Sequence, residues 1–160
     1  MKAKDLLILV RQRLGDMNKV VFSDAELMYC LNNAMDELCG ELADNYSPEL
    51  LKSLALAENT NIFPLPDDFI AWQGQYPINY AVDKNNQTQC TVEGPAWSGS
   101  PVTLKYFASR PHLTSGEDEI PFRTLTQQQN LLKKTLLQVK GGNTDDSQGT
   151  PSSNGSSRQA

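Results

Sequence analysis

The chain has 160 residues, 39% of them apolar, and a formal net charge of −5. That length gives one domain, or one domain with an appendage. A net acidic chain without a basic stripe argues against general nucleic-acid binding, which rests on neutralising phosphates.

The charge is unevenly placed: residues 1–20 carry five basic and two acidic side chains, and residues 23–58 carry eight acidic and one basic. No run of about 18 apolar residues occurs, so no membrane-spanning helix is expected. The opening Met1-Lys2-Ala3-Lys4-Asp5 leads into an amphipathic stretch, so no signal peptide is expected.

The first helix is expected at about 3–14. Leu6, Leu7, Val10 and Leu14 share a face, Lys4, Arg11 and Arg13 lie outside it, and Gly15 is the stop. A second, long helix follows over about 23–45. Ser23 with Glu26 forms a capping box, and Phe22 with Leu27 a hydrophobic staple. Leu27, Leu31, Ala34, Met35, Leu38 and Leu42 then recur at steps of three and four, one continuous apolar stripe. Two helices joined by so short a link usually pack together.

Beyond Pro48 the pattern changes. Leu54 and Leu56 alternate with small residues, Glu58-Asn59-Thr60-Asn61 is a polar turn, and Ile62-Phe63-Pro64-Leu65 follows, which together suggest a hairpin. Pro64 and Pro66 confine its second arm to an edge. Leu65-Pro66-Asp67-Asp68-Phe69 reads as an irregular turn. Antiparallel strands are expected at Ile78 to Val82, at Thr88 to Val92, and at Val102 to Tyr106 with Val102, Leu104 and Tyr106 inward.

From Phe122 the pattern is helical again, over about 123–140, with Thr124 and Gln127 as a weak capping box. Leu125, Leu132, Leu136 and Val139 share a stripe, Leu131 and Leu137 flank it, and Gly141-Gly142 ends the helix. Residues 141–160 form a polar tail whose composition does not offset its own ordering entropy. The class is therefore α+β: an N-terminal helical hairpin and a C-terminal helix packed with a small antiparallel sheet or sandwich spanning about 52–107.

Chemistry is thinly represented. Cys30, Cys39 and Cys90 are odd in number and lack CxxC spacing, and His112 is the single histidine, so no zinc set is expected. The cysteines read as reduced and mostly buried. A Cys–His pair drawn from these residues is the rival reading, a small hydrolase. Asp67-Asp68 reads as a solvated turn, and Glu117-Asp118-Glu119 lacks the spacing of a calcium loop. Lys133-Lys134 reads as a solvated helix end, and Trp72 and Trp97 as partly buried packing or interface anchors. No phosphate-cradling glycine motif occurs. Neither a metal nor a cofactor is expected, and no enzyme.

In this order the segments resemble the head–tail adaptor (connector) proteins of tailed bacteriophages. The resemblance rests on Phe22-Ser23-Asp24-Ala25-Glu26-Leu27, Leu65-Pro66-Asp67-Asp68-Phe69, Pro95-Ala96-Trp97, Val102-Thr103-Leu104-Lys105-Tyr106 and Ile120-Pro121-Phe122, over about residues 1–140. It implies a non-enzymatic virion protein, made in the bacterial host cytoplasm. Such proteins form rings, typically twelvefold, that dock on the portal, receive the tail or nozzle protein and continue the DNA channel without sequence-specific DNA contact. The family's C-terminal segments commonly reach into the portal.

A ring needs two different faces in contact. The expected pair is the basic first helix (Lys4, Arg11, Arg13) and the acidic long helix (Glu37, Glu41, Asp44). Lys133, Lys134, Lys140, Asp145, Asp146 and Arg158 are the expected portal contacts. The alternative within the same virion is a monomeric tail-completion or assembly factor.

Overall fold

The computed structural model describes residues 1–74, 76–93 and 98–145. Three helices and six strands follow in order: α1 (Ala3–Leu14), α2 (Asp24–Asp44), a 3-10 turn (Pro48–Leu50), β1 (Leu51–Leu56), β2 (Ile62–Pro64), β3 (Phe69–Trp72), β4 (Ile78–Val82), β5 (Thr88–Val92), β6 (Val102–Ala108) and α3 (Leu125–Asp145). Helices stand at both ends with small antiparallel sheets between them, the expected α+β class. The chain divides into two contact units, one of Met1–Leu38 with the chain from His112 onward, the other of Cys39–Pro111.

In the helical unit, both ends of α1 and the start of α2 have identifiable partners. The first N–H groups of a helix lack intrahelical acceptors. At α1 the loop of residues 114–120 supplies them: the Ala3 N–H donates to the Asp118 carbonyl at 2.8 Å, and the Lys4 N–H to the Gly116 carbonyl at 2.9 Å. Gly15 closes α1 in the left-handed region at φ 70°, where only glycine is unstrained. At α2 the capping box is complete. The Glu26 N–H donates to Ser23 Oγ, and the Ser23 N–H to the Glu26 carboxylate, both at 3.0 Å.

α1 packs against α3. Leu6, Leu7 and Val10 of α1, Leu27, Leu31, Ala34, Met35 and Leu38 of α2, and Leu131, Leu132 and Val139 of α3 are buried, together with Leu113, Ile120 and Phe122. Fully burying one such side chain contributes about 1.5–3 kcal/mol.

Two expectations for α3 are corrected. The helix does not end at Gly141-Gly142 but continues to Asp145. Glycine costs a helix about 1 kcal/mol relative to alanine without forbidding it. The buried stripe is also rotated from the expected one: Leu125 is exposed, and Thr135 is wholly buried. Thr135 Oγ1 donates to the Leu131 carbonyl at 2.8 Å, so its hydroxyl needs no water.

The second unit is two three-stranded sheets, of strand order β1-β6-β3 and β2-β5-β4, all antiparallel. The hairpin expected between β1 and β2 is not formed. β1 pairs with β6 over its whole length, while β2 pairs with β5. The turn after Leu56 therefore carries the chain from one sheet to the other. Turn chemistry reports a reversal but not which neighbour the returning strand takes. β2 does lie at an edge, as Pro64 required. β3 falls in the stretch expected only as general β-structure, and a bulge between Phe69 and Ala71 interrupts it.

The β4–β5 hairpin has the expected bounds, with Ile78 opposite Val92 and Val82 opposite Thr88. Its turn is organised by Asp83, whose Oδ1 accepts the N–H groups of Asn85 (2.8 Å) and Gln87 (2.9 Å). Leu56, Phe63, Cys90, Val92, Val102 and Leu104 make the core of this unit. Val102, Leu104 and Tyr106 point inward, as their alternation predicts.

Candidate functional site

Four of the charged residues expected to carry contacts, Lys4, Arg11, Glu37 and Lys134, have ion-pair partners within the chain. Arg11 is the clearest correction: it belongs to the interior and not to an outer basic face, being 3% exposed. Its Nη1 donates to Asp16 Oδ2 (3.0 Å) and to the Phe22 carbonyl (2.9 Å), and its Nη2 donates to Asp24 Oδ1 (2.8 Å). Asp16, also buried, accepts the backbone N–H groups of Val20, Val21 and Phe22 at 2.9–3.0 Å. Those N–H bonds, the one from Val21 foremost, hold its carboxyl below the usual range. This pair gives the whole connection from α1 to α2 its shape. Within the chain an ion pair joins α1 to α2, Arg11 to Asp24, with the cation inside.

Lys4 is exposed but ion-paired with Glu117, which also accepts from Lys2 at 2.9 Å. The two ammonium groups, Lys4 first, lower the Glu117 carboxyl to about 2. Asp118 accepts the N–H groups of Thr114 (2.8 Å) and Ser115 (3.0 Å). Glu117-Asp118-Glu119 thus serves the loop that caps α1. Among the described residues no cluster of His, Cys, Asp and Glu has the arrangement of a metal site.

Glu37 accepts from Lys134 (3.1 Å) and Gln138 (3.2 Å), so an expected subunit contact and an expected portal contact join each other across α2 and α3. Arg13, Glu41, Asp44, Lys133 and Lys140 are exposed. Asp145 is the last residue of α3, and Asp146 and Arg158 lie outside the described residues, as does Trp97.

His112 Nε2 lies 2.8 Å from Asp36 Oδ2, both side chains about half exposed. None of the three cysteines is in a disulfide. Burial, and then the Glu26 charge, push the Cys30 thiol up, and burial pushes up Cys90. That is the opposite of the shift that makes a thiolate nucleophile.

In the sheet unit, Asp67 and Asp68 diverge. Asp67 is exposed, whereas Asp68 accepts from Lys52 and, at 2.9 Å, from the Tyr106 hydroxyl. Burial raises the Asp68 carboxyl, but these two donors outweigh it and leave it lowered. Trp72 lies among aromatic rings: Phe69 at 4.7 Å, Phe63 edge-on at 5.8 Å and Tyr106 edge-on at 6.0 Å. Its indole N–H donates to the Tyr80 hydroxyl at 2.6 Å. A cavity of about 190 Å³ beside it is lined by Trp72, Tyr76, Ile78, Thr103 and Leu104, among others. In the sequence Trp72 reads as packing or an anchor and Tyr106 as inward-facing, but nothing there brings them together with Phe69 or ties Tyr80 to Trp72. The helical unit has a second hollow of about 290 Å³, with Leu7, Ile8, Met17 and Met28 in its wall.

No protein-family model matches the chain, and no curated protein matches it. No helix among the described residues is long and apolar enough to cross a membrane.

Proposed function

We propose that this chain is a structural virion protein, a subunit of a ring that joins the portal vertex of a tailed-phage capsid to the tail and continues the DNA channel. The reading rests on the resemblance of the ordered motifs to those of head–tail adaptors. Three of the motifs that fall on described residues stand where the chain changes element, and the fourth lies within a strand. Phe22 to Leu27 holds the cap of α2. Leu65 to Phe69 leads β2 into β3, with Asp68 tied to Lys52 and Tyr106. Val102 to Tyr106 is the middle strand of its sheet, and Ile120 and Phe122 are buried just before α3. Positions of that kind determine architecture, so the resemblance bears first on architecture, and the role is what the resemblance adds.

On this reading the partners are other copies of the chain, typically twelve to a ring, the portal protein, and a tail or nozzle protein. DNA passes without sequence-specific contact, and the residues act by binding, not by chemistry. The exposed Lys133 and Lys140 on α3 remain the portal contacts to test first. The rival Cys–His hydrolase is disfavoured by the raised Cys30 and Cys90 thiols.

Size-exclusion chromatography with light scattering, with and without the portal protein of the same virion, tests the proposal. A mass many times the 17.7 kDa of one chain is expected. A single copy bound to its partner would favour the monomeric assembly factor. A monomer in both runs overturns the ring.

A further inference from the structure

The two sheets have four edge strands: β1, β3, β2 and β4. An unpaired edge is a template for another strand, and proteins usually blunt it with proline, charge, bulges or short length. β3 carries the bulge between Phe69 and Ala71. β2 has three residues and ends in Pro64. The Val92 N–H donates to the Asn61 carbonyl and the Leu65 N–H to the Thr88 carbonyl, so Ile62 and Pro64 are the residues whose backbone faces outward. Pro64 has no N–H to offer there.

β4 and β1 are not blunted in this way. β4, Ile78-Asn79-Tyr80-Ala81-Val82, contains no charge and no proline. The Glu93 N–H donates to the Pro77 carbonyl and the Asp83 N–H to the Gln87 carbonyl. By antiparallel alternation Asn79 and Ala81 bond to β5, and Ile78, Tyr80 and Val82 direct their N–H and C=O groups outward. Among the described residues these backbone groups have no backbone partner. The strand is open on its faces too, with Tyr80 52% and Val82 65% exposed.

The same parity applies to β1. The Gln73 N–H donates to the Lys105 carbonyl, so residues 102, 104 and 106 of β6 bond to β1. That leaves Ser53 and Ala55 with both backbone groups outward and their side chains exposed. The one charge on β1, Lys52, is tied to Asp68.

We infer that β4 of one copy pairs with β1 of the next, so that the ring is closed by strand addition across unlike edges. This rests on the ring reading above and supplies its contact. The two open edges belong to different sheets and different sequences, which gives the heterologous contact that a ring requires. Main-chain bonds to an exposed edge are a known source of such affinity.

Proline at an outward position removes a donor only from the free edge. Val82→Pro and Ser53→Pro should therefore leave the far-ultraviolet circular dichroism unchanged while the full-length protein loses its oligomer. Val82→Lys, which keeps the N–H but places a charge on the edge, is the second variant should proline disturb the fold. The decisive arm mixes the two proline variants. Val82→Pro retains β1 and Ser53→Pro retains β4, so a 1:1 mixture should give a heterodimer of twice the 17.7 kDa chain and nothing larger. Persistent dimers of Ser53→Pro alone would mean β4 pairs with itself, which overturns the inference. A wild-type ring that the folded Val82 and Ser53 variants also form overturns the inference and leaves the ring reading standing. A wild-type chain that is monomeric alone and with portal protein overturns both.

Discussion

Replacing Arg11 with methionine tests whether the buried guanidinium organises the entrance to α2. Methionine keeps much of the apolar stem, so the loss reports mainly the four hydrogen bonds, which run to Asp16 Oδ2, the Asp16 carbonyl, the Phe22 carbonyl and Asp24 Oδ1. The bond to Asp24 counts for little, because that carboxylate is 67% exposed and water replaces the partner. Breaking a buried charge pair by removing one member costs about 3–5 kcal/mol when the other is left uncompensated. Asp16 is not left so, since three backbone N–H groups remain on it. The carbonyls of Phe22 and Asp16 do lose a charged donor, at roughly 1.5–3 kcal/mol for such a bond.

The expected cost of Arg11→Met is therefore about 3 kcal/mol, a large share of the roughly 5–15 kcal/mol that holds a domain together. Urea unfolding followed by circular dichroism should show a lower midpoint at an unchanged slope. The pH dependence supplies a second reading. Asp16 has a lowered folded pKa, so its contribution is present above the unfolded aspartate value of about 3.9 and is lost as pH falls through the folded value. Arg11→Met should make that acid-side loss shallower without abolishing it, because the backbone N–H of Val21 is the larger cause. A change in stability under about 0.5 kcal/mol, the usual range for surface substitutions, would refute the buried-clamp account.

Ser23→Ala removes the oxygen that receives the Glu26 N–H and should cost about 1 kcal/mol in the same assay; no change would mean that water caps the helix equally well. The Glu117 carboxyl, lowered to about 2 by Lys4 and Lys2, should titrate well below the usual value of about 4.3 when followed by carbon NMR. Its stabilising share is present above the unfolded value and lost as pH falls towards about 2, and a midpoint near 4.3 would refute its ion pairs with Lys4 and Lys2. Raising salt to 1 M shortens the screening length to about 3 Å. Assembly held by strand edges should keep its mass there, whereas dissociation would restore the charged helix faces as the contact.

The helices were legible because their signals are local. Ser23 and Glu26 are three residues apart, and Gly15 stands next to the helix it ends. The β4–β5 hairpin was legible for the same reason, its turn being closed by Asp83 within the loop itself. What sequence did not disclose depends on distant partners. β1 looked like the neighbour of β2, yet its partner β6 lies some fifty residues away and is chosen by the fit of two sheets over one core. Arg11 looked like a surface cation because a helical wheel carries no information about Asp16, which arrives from the following loop to neutralise it. The stripe on α3 was displaced by Thr135, a polar residue made buriable by a bond to its own helix.

On the proposed ring reading, the fate of the charges also changes how the assembly is pictured. A pattern of basic first helix and acidic second invites a ring held by opposite faces. In the folded chain Arg11 is inside, Lys4 is tied to Glu117, and Glu37 is tied to Lys134 and Gln138. Each engaged charge would have to give up a partner before meeting a neighbouring subunit, so the net gain would be the difference between two similar exposed pairs, close to zero. Backbone groups on a free strand edge exchange only water for a partner, and an edge offers several of them in fixed register.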